Sequence, residues 1–189
     1  HCPNTGSMMG LLKKGNKVWL TKSNDIKRKL KYTLQIIEVN GSKIGVNTHL
    51  TNKIFYESLL NGNIINLKKT DILFREKQFN KNTRFDFFIK QKNKGIFIEV
   101  KNVTLSRFKN IAEFPDAVTE RGLKHINELL TAKKKGFDVY LAFVIQREDC
   151  KKFKIAADID PNYKKLLTVA LKNNLKVICY DCKFLSKGI

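Results

Sequence analysis

Long hydrophobic runs are missing from this sequence of 189 residues. The longest apolar stretches, such as Leu141–Ile145, hold about five residues, whereas a membrane-spanning helix needs roughly 18. The start of the chain, beginning with His1, also lacks the succession of basic, apolar and small residues that forms a signal peptide. We therefore expect a cytoplasmic protein without a membrane span.

Cysteine, proline and glycine are also scarce, with 4 Cys, 3 Pro and 10 Gly. So few cysteines, without a regular spacing, exclude a small secreted scaffold built on disulfides. The low proline and glycine content, together with 42% hydrophobic residues, excludes a disordered or collagen-like chain. The composition predicts one compact domain or two small ones, folded around a hydrophobic core in a reducing compartment.

Two of the four cysteines, Cys179 and Cys182, form a C-x-x-C pair. A zinc site would need two further ligands, which Cys2, Cys150 or the three histidines would have to supply. The pair also overlaps the apolar run Val177–Tyr180, which is typical of a buried strand cysteine beside a loop cysteine. We favour this structural interpretation over metal binding.

Acidic residues are outnumbered by basic ones. The chain carries 37 Lys and Arg against 17 Asp and Glu, which gives a formal net charge of +20. A field of this sign attracts polyanions, so nucleic acid is the leading candidate partner. Residues 1–75 carry 13 of the basic and 4 of the acidic side chains, so the excess is not confined to a tail. A genome rich in A and T, which favours Lys, Asn and Ile codons, is an alternative origin for part of this charge.

Residues 1–46 show short extended runs. Apolar residues at Val18–Leu20, Tyr32–Val39 and Ile44–Val46 predict three strands. Asn40–Gly41 lies between the second and third of them and predicts a hairpin turn. Short strands of this kind favour a small β-barrel.

The pattern after residue 51 alternates between helical and extended periodicity. The predicted elements are a helix over Thr51–Leu60, strands over Ile72–Phe79, Arg84–Ile89 and Ile96–Lys101, a helix capped by Asp116 and ended by Gly136, a strand over Val139–Ile145, a helix from Pro161 to about Asn173 and a strand over Val177–Tyr180. This order, αβββαβαβ, predicts an α/β or α+β domain with a mixed sheet.

Three ionisable residues on neighbouring predicted strands suggest a catalytic site. Glu99 and Lys101 share one face of a strand, because alternate residues point the same way. If the preceding strand brings Asp86 beside Glu99, two carboxylates converge, which is unfavourable unless a cation lies between them. Carboxylates, water and phosphate are the ligands that Mg²⁺ prefers, and Mn²⁺ is an alternative. The pattern is the minimal signature of a metal-dependent phosphodiesterase, in which Lys101 would orient water or stabilise charge.

A non-catalytic interpretation of the same residues stays open. Asp followed by Glu-x-Lys is a short pattern that arises by chance, and Glu99 and Lys101 would then be a solvated strand edge. The apolar setting argues against this, because Asp86 lies between Phe85 and Phe87, and Glu99 follows Ile96–Ile98.

Longer motifs occur along the whole chain. They are His1–Met8, Arg28–Leu30, Gly45–Thr48, Arg84–Phe87, Glu99–Leu105, Phe114–Gly122, Lys124–His125 and Asp158–Pro161. With these motifs the sequence resembles the sugar fermentation stimulation protein A family of prokaryotes. Members of this family usually begin some tens of residues earlier, so the resemblance implies a barrel that lacks its first strands and has an open edge.

The resemblance implies a fold of the α/β (α+β) class in two domains. Residues 1–46 would form an incomplete OB-like DNA-binding barrel, and residues 47–189 a restriction-endonuclease-like, PD-(D/E)XK nuclease domain with a mixed central sheet. The metal-binding and catalytic carboxylates would be Asp86 and Glu99, the catalytic lysine Lys101, and Glu76 a further acidic position.

Other basic and polar residues complete the predicted site. The resemblance places Glu120, Arg121 and His125 beside the nuclease centre, with a solvated helix face as the alternative. Arg84 and a basic run with an adjacent aromatic residue are candidate DNA contacts, of the kind that OB surfaces make, with a charged turn as the alternative. This run comprises Lys27, Arg28, Lys29, Lys31 and Tyr32.

We therefore expect a DNA-binding protein whose C-terminal domain is a Mg²⁺-dependent nuclease, acting without sequence specificity. The alternative is a non-catalytic DNA-binding regulator of sugar (maltose) metabolism. RNA binding is a third hypothesis, because OB-like barrels accept either polymer. The sequence leaves open whether cleavage occurs and whether the chain forms a homodimer.

Overall fold

Three antiparallel strands form a small N-terminal sheet in the computed structural model, which describes residues 1–4, 6–62, 64 and 72–185. The strands are β1 (Val18–Lys22), β2 (Tyr32–Val39) and β3 (Ser42–Gly45), in the order β1-β2-β3. The predicted turn at Asn40–Gly41 is confirmed, and both residues have positive φ angles, of 50° and 78°, as a tight hairpin turn requires. Residue 5 of the first motif and residues 186–189 of the predicted nuclease-like domain lie outside the described residues.

The N-terminal sheet is joined to the rest of the chain by hydrogen bonds. The backbone N–H of Gly45 donates to the carbonyl oxygen of Gln146 at 2.9 Å. The backbone N–H of Ser7 donates to Oδ2 of Asp116 at 2.8 Å. A Cβ atom on Gly6 would lie 2.3 Å from this same oxygen, so a larger residue there would displace the Asp116 carboxylate from Ser7.

A mixed five-stranded sheet organises the second part of the chain. Its strands are β4 (Ile72–Asn80), β5 (Thr83–Gln91), β6 (Lys94–Val103), β9 (Asp138–Ile145) and β11 (Lys176–Asp181), in the order β11-β9-β6-β5-β4. The first three form the predicted antiparallel meander, whereas β6, β9 and β11 run parallel to one another. The prediction of a mixed sheet is confirmed.

Helices cover both faces of this sheet. They are α1 (Thr51–Leu60), α2 (Glu120–Lys134) and α3 (Pro161–Lys172). On one face, α1 packs Phe55 against the layer that contains Ile98 and Val100. The other face forms the larger core with α2 and α3. Of the helices in the described part of the chain, none has the length and apolar composition to cross a bilayer.

Three short strands form a second small sheet that the sequence pattern did not predict. They are β7 (Leu105–Phe108), β8 (Ile111–Phe114) and β10 (Lys152–Ile155), in the order β10-β8-β7. Each has four residues, so it carries too few alternations to show a period.

The predicted start of α2 was wrong. Asp116 does not cap the helix, because its carboxylate accepts the hydrogen bond from Ser7. Thr119 is the cap, and its Oγ1 accepts a hydrogen bond from the N–H of Gly122 at 2.9 Å. The backbone N–H of Thr119 in turn donates to Asp160, the cap of α3. The hydrogen bond from Thr119 to Asp160 therefore joins the start of α2 to the start of α3.

The C-x-x-C pair acquires no further metal ligands. All four cysteines are free thiols, and the described residues contain no group of three or more His, Cys, Asp or Glu side chains that could hold a metal ion. The prediction of a buried strand cysteine was wrong. Cys179 lies in β11 but is exposed, whereas Cys182, after the strand, is buried.

Candidate active site

The pairing of β5 and β6 places Asp86 and Glu99 at adjacent positions. The last paired residues are Phe87 and Ile98, and the two acidic residues are the next ones along each strand. Glu99 and Lys101 point into the layer under α2, whereas Ile98 and Val100 belong to the opposite core, as predicted. The structure thus brings Asp86, Glu99 and Lys101 close enough for their charges to interact.

Two hydrogen bonds hold the Asp86 carboxylate. Oδ2 accepts from the backbone N–H of Val100, and Oδ1 accepts from Nδ2 of Asn52 in α1, both at 2.7 Å. Burial raises the pKa of Asp86 to about 7, and the negative charge of Glu99 adds to the rise, while the two hydrogen bonds oppose it. A cation placed between the two carboxylates would reverse this effect.

Glu99 is buried but keeps its charge. It is 3% exposed, and its Oε1 accepts a hydrogen bond from Nζ of Lys101 at 2.7 Å and contacts Nδ1 of His125. Burial alone would raise its pKa, but the hydrogen bond with His125 and the charge of Lys101 outweigh burial and hold the pKa below its ordinary range. The pKa values of the two carboxyl groups are therefore shifted in opposite directions, upward for Asp86 and downward for Glu99.

His125 connects Glu99 to Lys101. Its Nδ1 lies 3.0 Å from Nζ of Lys101 and also contacts Glu99. A single ring nitrogen either donates to the carboxylate or accepts from the ammonium, so the network has two alternative arrangements. The alternative of a solvated helix face is wrong for His125, because the residue is buried, at 9% exposed.

One oxygen of the site has no protein partner. Oε2 of Glu99 is buried and accepts no hydrogen bond from any described residue. A buried carboxylate oxygen without a partner is unfavourable by about 1–3 kcal/mol or more, and native proteins rarely tolerate it. This oxygen is therefore a natural ligand for a group that is absent from the protein chain.

Two clefts flank this network. The first, of about 510 Å³, lies between the β4–β5 hairpin and α2 and is lined by His125, Arg84 and Glu76, among others. The second, of about 340 Å³, lies between the N-terminal loop and β6 and is lined by Lys101. Arg121 lines both clefts, so it lies where they meet.

The remaining predicted site residues are spread over the surface. Glu76 is exposed on β4 with a φ angle of +51° and makes no hydrogen bond with Asp86 or Glu99, and Glu120 is exposed at the start of α2. The basic run leads into β2, whose first residue is Tyr32, and lines neither cleft. Within it, Arg28 donates to Oγ1 of Thr33 at 2.7 Å, and Lys31 donates to the Ile26 carbonyl at 2.7 Å, so these two cations also hold their own loop. Lys27, Lys29 and Tyr32 are exposed.

Sequence reasoning missed two polar residues near the carboxylates. Asn52 holds Asp86, but it lies in a helix that showed only an apolar pattern. Tyr163 is fully buried with an unpartnered hydroxyl, and burial followed by the charge of Glu99 raises its pKa. No local sequence signal distinguishes either residue, because each contact joins distant parts of the chain.

Comparison with known proteins identifies the family. Residues 1–46 match the SfsA N-terminal OB domain, and residues 49–188 match the sugar fermentation stimulation protein RE domain. The sugar fermentation stimulation protein homolog of Pelagibacter ubique (strain HTCC1062) is 50% identical over 189 residues, covering 100% of this chain and 82% of that protein. The homolog of Sinorhizobium medicae (strain WSM419) is 38% identical over 183 residues, covering 96% of this chain and 77% of that one.

A solved structure agrees with this assignment. The structure of Pyrococcus furiosus SfsA in complex with Ca²⁺ matches with a TM-score of 0.88 and 26% sequence identity, covering 99% of this chain and 79% of that chain. The expected combination of an OB domain with a restriction-endonuclease-like domain is confirmed. The chain belongs to the sugar fermentation stimulation protein (SfsA) family.

Proposed function

We propose that this protein binds DNA and hydrolyses its phosphodiester bonds at a divalent-metal site formed by Asp86 and Glu99, with Lys101 as the catalytic cation. One observation carries the proposal: the carboxyl groups of Asp86 and Glu99 and the ammonium group of Lys101 lie on adjacent strands with interacting charges, and one buried oxygen of Glu99 has no partner among the described residues. Structural ion pairs normally satisfy both oxygens, whereas this arrangement leaves a position for a ligand.

The donor set fits Mg²⁺ or Mn²⁺. Mg²⁺ is usually bound through one or two carboxylates, with water and phosphate completing its shell, so the lack of a third acidic, Cys or His ligand in the described residues agrees with this mode. Asp86 and Glu99 would hold the ion, through Oε2 of Glu99 among others. The Pyrococcus furiosus relative was solved with Ca²⁺, another cation that prefers oxygen ligands. A bound metal would lower the pKa of a coordinated water and stabilise charge on the phosphate.

The protein's own residues would position the reacting groups. Asn52 and the backbone N–H of Val100 fix the orientation of the Asp86 carboxylate. The ammonium of Lys101, held by Glu99, would orient the attacking water and stabilise negative charge that develops on the phosphate oxygens. Nδ1 of His125 lies 3.0 Å from the same ammonium and would help to hold it in position.

Charge and domain type support DNA as the partner. The net charge of +20 favours a polyanion, and an OB domain is a common platform for nucleic acids. The exposed Lys27, Lys29 and Tyr32 would contribute phosphate contacts and stacking there. The free cysteines agree with a reducing cytoplasm as the compartment in which the protein meets DNA.

A non-catalytic DNA-binding regulator, in sugar metabolism as the family name suggests, is the second candidate. The observation in its favour is that Oε1 of Glu99 is already engaged by Lys101 and His125, so the ion pair closes part of the site in the absence of ligand. The two candidates share DNA binding and differ in turnover.

Cleavage assays separate the two candidates. The full chain is incubated with duplex and single-stranded DNA in Mg²⁺, Mn²⁺ or EDTA, with RNA as competitor at matched salt. We expect cleavage that requires the metal and falls at least 100-fold in Asp86→Asn and Glu99→Gln, because a missing metal ligand removes the charge that stabilises the transition state. Glu57→Gln, which removes an exposed carboxylate on α1, is the matched control and should cleave normally. Binding without cleavage by the wild-type protein would favour the regulator.

A further inference from the structure

The cleft between the β4–β5 hairpin and α2 is rich in positive charge. Four basic side chains line it, Lys81, Arg84, Arg121 and Lys124, against the single carboxylate of Glu76. Its volume of about 510 Å³ is large enough to receive part of a ligand strand. An excess of cations in one concave surface attracts and concentrates anions there.

The walls of this cleft are held in place. Nζ of Lys124 in α2 donates to the carbonyl oxygen of Asn82 in the hairpin turn at 3.0 Å. Nδ2 of Asn80 donates to Oε2 of Glu128 at 2.7 Å. These two bonds fix the hairpin against the helix, so the cleft is formed before any ligand binds. Lys124 thus helps to hold the hairpin against α2, whereas Arg84 and Arg121 do not.

Three polar groups at the cleft have no partner among the described residues. Arg84 and Arg121 are exposed, and neither guanidinium makes a hydrogen bond or ion pair there. Thr83 also lines the cleft; the residue is 6% exposed, and its hydroxyl is buried without a partner among the described residues. A guanidinium presents a planar fork of donors that matches a phosphate, and a buried hydroxyl without a partner is unfavourable until something binds to it.

The cleft adjoins the candidate active site. His125 lines the cleft and lies 3.0 Å from Nζ of Lys101. Arg121 lines this cleft and also the second one, which contains Lys101. A strand whose reacting phosphate lies at Lys101 would therefore place a neighbouring phosphate in the hairpin cleft.

We propose that the hairpin cleft is a phosphate subsite, in which Arg84 and Arg121 bind a backbone phosphate of the DNA strand next to the phosphate that is cleaved, with the Thr83 hydroxyl at its base. The position relative to cleavage rests on the proposed nuclease function. The binding of a backbone phosphate in the cleft does not rest on that function, because binding requires no turnover.

Salt dependence of DNA binding tests the subsite. Affinity of the full chain for a labelled oligonucleotide, duplex or single-stranded, is measured in EDTA over a series of salt concentrations for Arg84→Gln, Arg121→Gln and the double variant. Each lost phosphate contact should make the slope of log K against log salt less steep by about 0.9 on duplex or about 0.7 on a single strand. Arg75→Gln is the matched control, because Arg75 stacks on Tyr56 of α1 and does not line the cleft; its slope should stay at the wild-type value.

The outcomes separate the subsite from the nuclease. If the wild type cleaves DNA and the arginine variants keep the wild-type slope, the subsite is wrong and the nuclease stands. If no cleavage is seen but the slopes change only in the cleft variants, the subsite stands and the nuclease is wrong. Thr83→Val should raise the melting temperature of the ligand-free protein slightly, because it removes a buried hydroxyl without a partner among the described residues, and it should bind DNA several-fold more weakly. Wild-type affinity of this variant would contradict the role of the hydroxyl.

Discussion

At the residue scale, Asp86 and Glu99 respond differently to burial. Asp86 has a backbone N–H and a neutral amide as partners, and its pKa rises to about 7. Glu99 has an ammonium and an imidazole as partners, and its pKa is lowered. The protein thus keeps Glu99 ionised, whereas the charge of Asp86 depends on whether a cation lies between the two carboxyl groups.

The raised pKa of Asp86 makes the stability of the metal-free protein depend on pH. The unfolded chain has a pKa near 4 at this residue, so between about pH 4 and pH 7 the folded state binds more protons than the unfolded state. The free energy of unfolding should therefore fall as the pH rises through this range, by about 4 kcal/mol at most from this group.

Urea unfolding in EDTA at pH 5 and pH 7.5 measures this loss. Asp86→Asn carries no titrating group at this position, so its free energy of unfolding should fall less over the same range than that of the wild type. Equal losses in the two proteins would show that Asp86 titrates at an ordinary pKa. Glu57→Gln again serves as a control, because Glu57 is more than half exposed.

At the residue scale, sequence reasoning found the charged groups and missed their partners. Asp86, Glu99 and Lys101 were predicted because strand alternation and family motifs both mark them. Asn52 lies 34 residues before Asp86 in the chain, and no pattern within a helix indicates which strand it will meet. Thr83 is a common strand residue whose significance comes from the lack of a partner for its hydroxyl among the described residues.

At the element scale, long elements with a clear period were predicted and short ones were not. The helix Thr51–Leu60 and the start of α3 at Pro161 coincide with the prediction, because a full apolar stripe or a proline at the first turn marks them. The four-residue strands β7, β8 and β10 carry no such signal. They depend on pairing with each other rather than on local pattern.

The cap of α2 provides a test at this scale. Thr119→Ala removes the side-chain oxygen that accepts from Gly122 and should lower the free energy of unfolding by about 1 kcal/mol. Thr119→Ser keeps the oxygen and should recover most of this loss. Chemical denaturation of the three proteins at one pH measures both effects. A loss in Thr119→Ser as large as that in Thr119→Ala would contradict the assignment of the cap.

At the scale of the whole molecule, the candidate site is assembled from both parts of the chain. The N-terminal loop contributes Asn4 and Gly6 to the cleft that contains Lys101, and its contact with Asp116 fixes that wall. The resemblance to the family implied two domains with a boundary at residue 46. It could not predict this cleft, because the contact joins residues 109 positions apart.

Binding of Mn²⁺ to the full chain tests the central claim most directly, since it requires no assumption about substrate. Calorimetric titration should show one Mn²⁺ bound per wild-type chain, with binding lost in Asp86→Asn and in Glu99→Gln and retained in Glu57→Gln. If the wild type binds no ion, or if Glu99→Gln binds it with wild-type stoichiometry and affinity, Asp86 and Glu99 do not form a metal site.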